Sequence, residues 1–138
     1  MLEGGLLSPT SFQNSVYNTA PSYFSLINKD KDEMITISAG MKTSREAIKT
    51  AALQSLISGQ RVLCVCVECI NIKNIEEINR CANYLEAGAA FVLEADEDTS
   101  GAKEIEDTRV EGVMDSLKEI MSVVDMHERL NDKILVEL

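Results

Sequence analysis

The chain has 138 residues, 45% hydrophobic and 4% aromatic, with no tryptophan and a formal net charge of -10 from 23 acidic and 13 basic side chains. That length holds one domain of ordinary size, with a core to be built from Ile, Leu, Val, Ala and Met. The acidic balance argues against a phosphate-tracking groove over the whole surface, because nucleic-acid binding leans on Lys and Arg, but leaves room for a local basic patch.

Residues 1–33 are expected to form a mostly irregular N-terminal arm. Pro9 and Pro21, the only prolines, fall here beside Gly4, Gly5, Ser8, Ser11 and Asn14. Phe12, Tyr17, Tyr23, Phe24, Leu26 and Ile27 make the arm too apolar for a pure linker, so part of it should dock on the domain or on another subunit. Glu3 and the lack of a basic segment before an apolar one argue against a secretory signal. No apolar run approaches the ~18 residues of a membrane-spanning helix. The four cysteines are therefore expected as buried thiols in a reducing, intracellular (cytoplasmic) compartment.

Residues 34–138 read as a single α/β domain. After the solvated turn at Lys29–Glu33, Met34 to Ser38 alternates as a strand should. Thr43 and Glu46 have capping-box spacing. The helix they open carries Ala47, Ile48, Ala51, Ala52, Ser55 and Leu56 on one side, widened by Leu53 and Ile57. Ser58-Gly59 stops it. Residues 61–70 are the densest apolar run and predict a strand. Val62, Cys64 and Cys66 face one way, and Leu63, Val65, Val67 and Cys69 the other. Both faces are apolar, which predicts that both are covered. Asn74 and Glu77 open a second helix with Ile75, Ile78, Ala82 and Leu85, ended by Gly88. Ala89 to Glu94 is a third strand. Val110, Val113, Met114, Leu117, Ile120, Met121 and Val124 predict a long amphipathic helix over 107–125. Residues 126–132 form a polar transition, and 133–138 read as a last strand or a helical tail.

Three groups of residues raise chemical readings. Cys64, Cys66, Cys69 and Cys81 invite zinc, which wants four ligands in a tetrahedron. On a strand, Cys69 points away from Cys64 and Cys66, and the neighbours are aliphatic, so buried thiols are the better reading. A catalytic thiol lacks a nearby base, since the single histidine, His127, lies near the C-terminus. Two acidic loops echo the EF-hand. In the first, Asn28, Asp30 and Asp32 fit, but Glu33 and Ala39 break the pattern. In the second, Asp96, Asp98, Ser100 and Asp107 are the alternative calcium ligands, with Lys103 at the position that should be apolar. No phosphate-binding loop, nucleophile elbow or zinc-protease motif is found.

The order strand, helix, glycine, strand, helix, strand over 34–94, with the loop Ala39-Gly40-Met41-Lys42-Thr43 after the first strand, resembles the Alba-like fold, including the stage V sporulation protein S family. The resemblance implies a two-layer domain that dimerises, and DNA or RNA binding through Lys42, Arg45 and Lys49.

The expectation is a small two-layer α/β (α+β) sandwich with a β-α-β-α-β core and an added C-terminal amphipathic helix. The role expected is a non-enzymatic, self-associating binding or adaptor protein. The alternatives are an Alba-type nucleic-acid binder and a degenerate calcium-binding protein. Self-association is expected through Val62, Cys64 and Cys66, or through Val65 and its neighbours on the opposite face. A homo-oligomer is implied, a protein or nucleic-acid partner is possible, and no membrane, cofactor or resident metal is expected.

Overall fold

A computed structural model describes residues 19–29, 31–69, 86–106, 112–130 and 133–138. The chain divides into two compact units, Met1–Thr36 and Ile37–Leu138. The described elements are three α-helices and a two-stranded antiparallel sheet, a small α+β protein.

The first unit holds α1, Thr19–Asn28. Part of the arm read as irregular is therefore helical. Pro21 sits in its first turn, where a missing N–H costs nothing. Ala20, Tyr23, Phe24 and Ile27 recur at helical spacing, and all four are exposed within it.

In the second unit, α2 spans Thr43–Ser58 after a 3-10 turn at Gly40–Lys42. Thr43 is the first helical residue and not a capping residue outside the helix. Its hydroxyl donates to the Gly40 carbonyl (2.7 Å) and accepts from the Ala39 N–H (3.0 Å), which ties the turn to the helix. Gly59, at φ 66°, closes the other end through its N–H to the Ser55 carbonyl, 2.8 Å. That left-handed conformation is easy only for glycine. Ile48, Ala51, Ala52 and Ser55 are buried along one side of α2. The expected widening is absent, because Leu53 and Ile57 are exposed.

Strand β1, Val62–Cys69, pairs antiparallel with β2, Glu86–Leu93, in a register that sets Val62 against Leu93 and Cys69 against Glu86. The strand predicted at 34–38 is not formed; those residues are irregular. Alternation alone does not make a strand, because its N–H and C=O groups need a ladder partner. Gly88, expected to end a helix, lies within β2. The helix predicted from Asn74 to Leu85 falls outside the described residues.

The last helix begins later and ends later than its apolar spacing predicts. A 3-10 turn at Asp115–Leu117 leads into α3, Lys118–Leu130. The expected polar transition is thus helical through Leu130, and Met126 is buried on it. Val123, one residue before the expected Val124, is the buried valine. After α3, Lys103 and Ile134 form one parallel bridge, with Lys103 N–H to the Lys133 carbonyl (2.9 Å) and Leu135 N–H to the Lys103 carbonyl (2.7 Å).

Ile48 and Ala51 of α2, Cys64 and Cys66 of β1, and Val113, Leu117, Ile120 and Val123 around α3 form the core. Among the described residues the sheet is covered on this side only. Leu63, Val65, Val67 and Val92, on the other side, are exposed by 54%, 54%, 76% and 58%. The strand's period of two therefore operates as expected, but only one of the two apolar faces is packed among the described residues.

Candidate functional site

Three places in the second unit collect chemically capable side chains. The first is the cysteine pair. Cys64 and Cys66 sit two residues apart on the face of β1 that meets the helices, each only 5% exposed. A hydrogen bond to Cys66, reinforced by burial, pushes the Cys64 thiol up from its ordinary range. Burial disfavours thiolate, so these cysteines behave as core residues. Val62 lies half-buried on the same face, and Val65 is on the open one. The open face holds the aliphatic strip; Cys64 and Cys66 are inside the chain.

The second is a cleft of about 250 Å³ between α2, the start of α3 and the segments around Ile105 and Val136. Arg45, Ile48 and Lys49 line it from successive positions on one side of α2. Arg45 donates through Nε to both Glu119 carboxylate oxygens, at 2.8 and 3.0 Å. That hydrogen bond, and then the charge of Glu119, holds the guanidinium above its ordinary value. Lys42, Arg45 and Lys49 thus do not stand as three free cations. Lys42 is exposed at the end of the 3-10 turn, and Arg45 is matched by Glu119. Glu119 and Val136 come from distant parts of the chain, and no local pattern in the sequence marks them as neighbours of Arg45.

The third is the acidic loop after β2. The Asp98 N–H donates to Asp96 Oδ1 (2.9 Å), and the Ser100 N–H donates to Asp98 Oδ1 (3.0 Å). Lys133 Nζ approaches Asp96 Oδ2 at 3.4 Å and Asp98 Oδ2 at 3.2 Å. Hydrogen bonds from Ser100, followed by Lys133, hold the Asp98 carboxyl down at about 2. The two carboxylates expected as calcium ligands are thus engaged by a lysine and by backbone N–H groups. Asp107 falls outside the described residues, and His127 is exposed on α3. Among the described residues no group of three or more His, Cys, Asp and Glu is placed to hold a metal ion, and no helix is long and apolar enough to cross a membrane.

The sequence reading set Ser55 on the packed side of α2 without a role for its hydroxyl, and did not single out Ser122; both are buried. Ser55 Oγ donates to the Gln60 carbonyl (2.7 Å) and accepts from the Ala95 N–H (3.0 Å), joining the end of α2 to the exit of β2. Ser122 Oγ donates back to the Lys118 carbonyl, 2.9 Å. A small polar residue on an otherwise apolar helix stripe was the available signal for Ser55.

Comparison with known proteins changes the functional reading. No curated protein and no solved structure matches the chain. The family model described as "Beta-ketoacyl synthase, N-terminal domain" matches residues 1–132. This match overturns the Alba-like resemblance, which rested on 34–94 and on a first strand that is not formed. It also overturns the non-enzymatic adaptor and, with it, the nucleic-acid and calcium-binding alternatives, because the family is one of condensing enzymes. With nearly its whole length matched, this chain belongs to the beta-ketoacyl synthase, N-terminal domain family.

Proposed function

We propose that the chain takes part in the condensation of acyl thioesters, forming the carbon–carbon bond of a β-ketoacyl product. The observation that carries this reading is the family match over residues 1–132. Such chemistry commonly uses a thiolate to accept the acyl group, and a thiolate must be reachable. Cys64 and Cys66, closed into the core at 5% exposure each, do not meet that condition. We therefore assign the acyl-acceptor role to neither. Cys69 and Cys81 are the chain's other thiols.

The site of action in this reading is the cytoplasm, in keeping with the buried free thiols of Cys64 and Cys66. The working form is a homodimer or a multiple of one. The exposed aliphatic strip of Leu63, Val65, Val67 and Val92 supports this, since an uncovered apolar sheet face favours a partner.

The test is to supply the purified protein with an acyl thioester and a malonyl thioester and to follow the products by mass spectrometry. The expected result is a β-ketoacyl thioester extended by the malonyl-derived unit, with carbon dioxide released. Absence of both product and covalent acyl-enzyme, under conditions where a control condensing enzyme turns over, refutes the reading. Light scattering on wild type and Val65→Asp tests self-association. The substitution should lower the mean mass while the circular dichroism spectrum stays folded.

A further inference from the structure

The open face of the sheet is uneven, and the strand register shows how. On this face β1 presents Leu63, Val65 and Val67, and β2 sets Val92, Ala90 and Gly88 directly opposite them. All of these residues are exposed. Branched side chains thus form a ridge along β1, while the surface over β2 drops from Val92 to a shelf at Ala90 and Gly88. Val67 leans across its own rung, since a Cβ added at Gly88 would lie 2.9 Å from Val67 Cγ1. The sharpest step therefore lies between Val65 and Ala90. Next to the rung of Leu63 and Val92, Arg61 and Glu94 flank the two strands at the same parity, and both are exposed.

We propose that a second copy of this chain packs on this face, its ridge over the first copy's shelf, about a twofold axis parallel to the strands. Two sheets stack ~10 Å apart with their strands nearly aligned, and a twofold contact must be its own complement. An axis parallel to the strands sets β1 of each copy over β2 of the other and keeps every rung facing its counterpart. Val65 then meets Ala90 of the second copy, Leu63 meets Val92, and Arg61 meets Glu94. An axis across the strands sets ridge against ridge and shelf against shelf, which leaves a gap over Ala90. The first arrangement matches bulk with space and positive charge with negative. The proposal rests on the homodimer reading above and adds its geometry.

The test is the dimer dissociation constant of the full chain, measured by sedimentation equilibrium, with circular dichroism to check folding. Ala90→Leu adds apolar surface at an exposed position. It should nevertheless weaken the dimer by about tenfold or more, because it fills the shelf that Val65 needs. Val65→Ala should also weaken it, by leaving the shelf empty. Val65→Ala with Ala90→Val exchanges the two sizes and should return the affinity to within about threefold of wild type. If the strand variants do not fold, Glu94→Arg, outside the strand, should weaken the dimer, and Arg61→Glu added to it should restore it. A dimer left unchanged or tightened by Ala90→Leu, or not restored by the size exchange, overturns this arrangement while the homodimer stands. A wild-type monomer at high micromolar concentration overturns both.

Discussion

Replacing Ser55 by alanine tests whether a single buried hydroxyl fastens α2 to the sheet. Ser55 is 1% exposed. Its oxygen serves two backbone groups from different segments, the Gln60 carbonyl at 2.7 Å and the Ala95 N–H at 3.0 Å. Each hydrogen bond contributes about 1 kcal/mol net, and a buried group left without a partner costs about 1–3 kcal/mol. The two ends are not equivalent. Gln60 is exposed, so water can take over its carbonyl. Ala95 is half-buried, so its N–H is the one left poorly satisfied. The sum is a loss of about 2–3 kcal/mol, a sizeable share of the ~5–15 kcal/mol that holds a domain together. Urea unfolding followed by circular dichroism measures it as a lower midpoint at unchanged slope. Ser55→Thr keeps a hydroxyl, and separates loss of the bond from any change in packing. A loss below about 0.5 kcal/mol for Ser55→Ala, the usual scatter of neutral substitutions, would refute the reasoning.

Ile120 is fully buried at the centre of the α3 contact, so Ile120→Ala should cost about 2–5 kcal/mol in urea unfolding. Gly88→Ala would place a Cβ 2.9 Å from Val67 Cγ1 and 3.1 Å from the Cys66 carbonyl oxygen. Val67 can swing into solvent but the carbonyl is held in the ladder, so a loss of about 1 kcal/mol is expected by the same measurement. The Asp98 carboxyl is held at about 2, below its ordinary 3.8, so its contribution is complete above 3.8 and is lost as pH falls through about 2. Carboxyl chemical shifts should show that low midpoint, and Ser100→Ala should raise it more than Lys133→Met does.

Much of the second unit was legible because its local patterns are strong. Arg61 to Ile70 is apolar enough to be read as a strand, and β1 occupies Val62–Cys69. The stripe on α2 and its stop at Gly59 were also readable. What failed depended on partners. Met34 to Ser38 alternates correctly, but a strand exists only where another strand meets it. The length of α3 was misjudged because His127, Glu128 and Arg129 look like a break, yet all three lie on the exposed side while Met126 continues the buried one. The cleft was invisible because Arg45, Ile105, Glu119 and Val136 are brought together only by the fold. The condensing family carries no short motif that the reading of the residues recognised.

The one-sided sheet sets a limit on the proposed homodimer. β1 and β2 are each 8 residues long. At ~3.3 Å per residue and ~4.8 Å between strands, the open face offers only about 250 Å² per copy. A standard interface takes about 800 Å² from each partner. Leu63, Val65, Val67 and Val92 can therefore supply the apolar centre of a contact but not its whole extent. Their aliphatic side chains suit that central place, where water is excluded and charge is scarce. A homodimer built on the strip must recruit further surface around it. The inward-facing Cys64 and Cys66 contribute none of that surface, because the parity that exposes Val65 also turns them under α2 and α3.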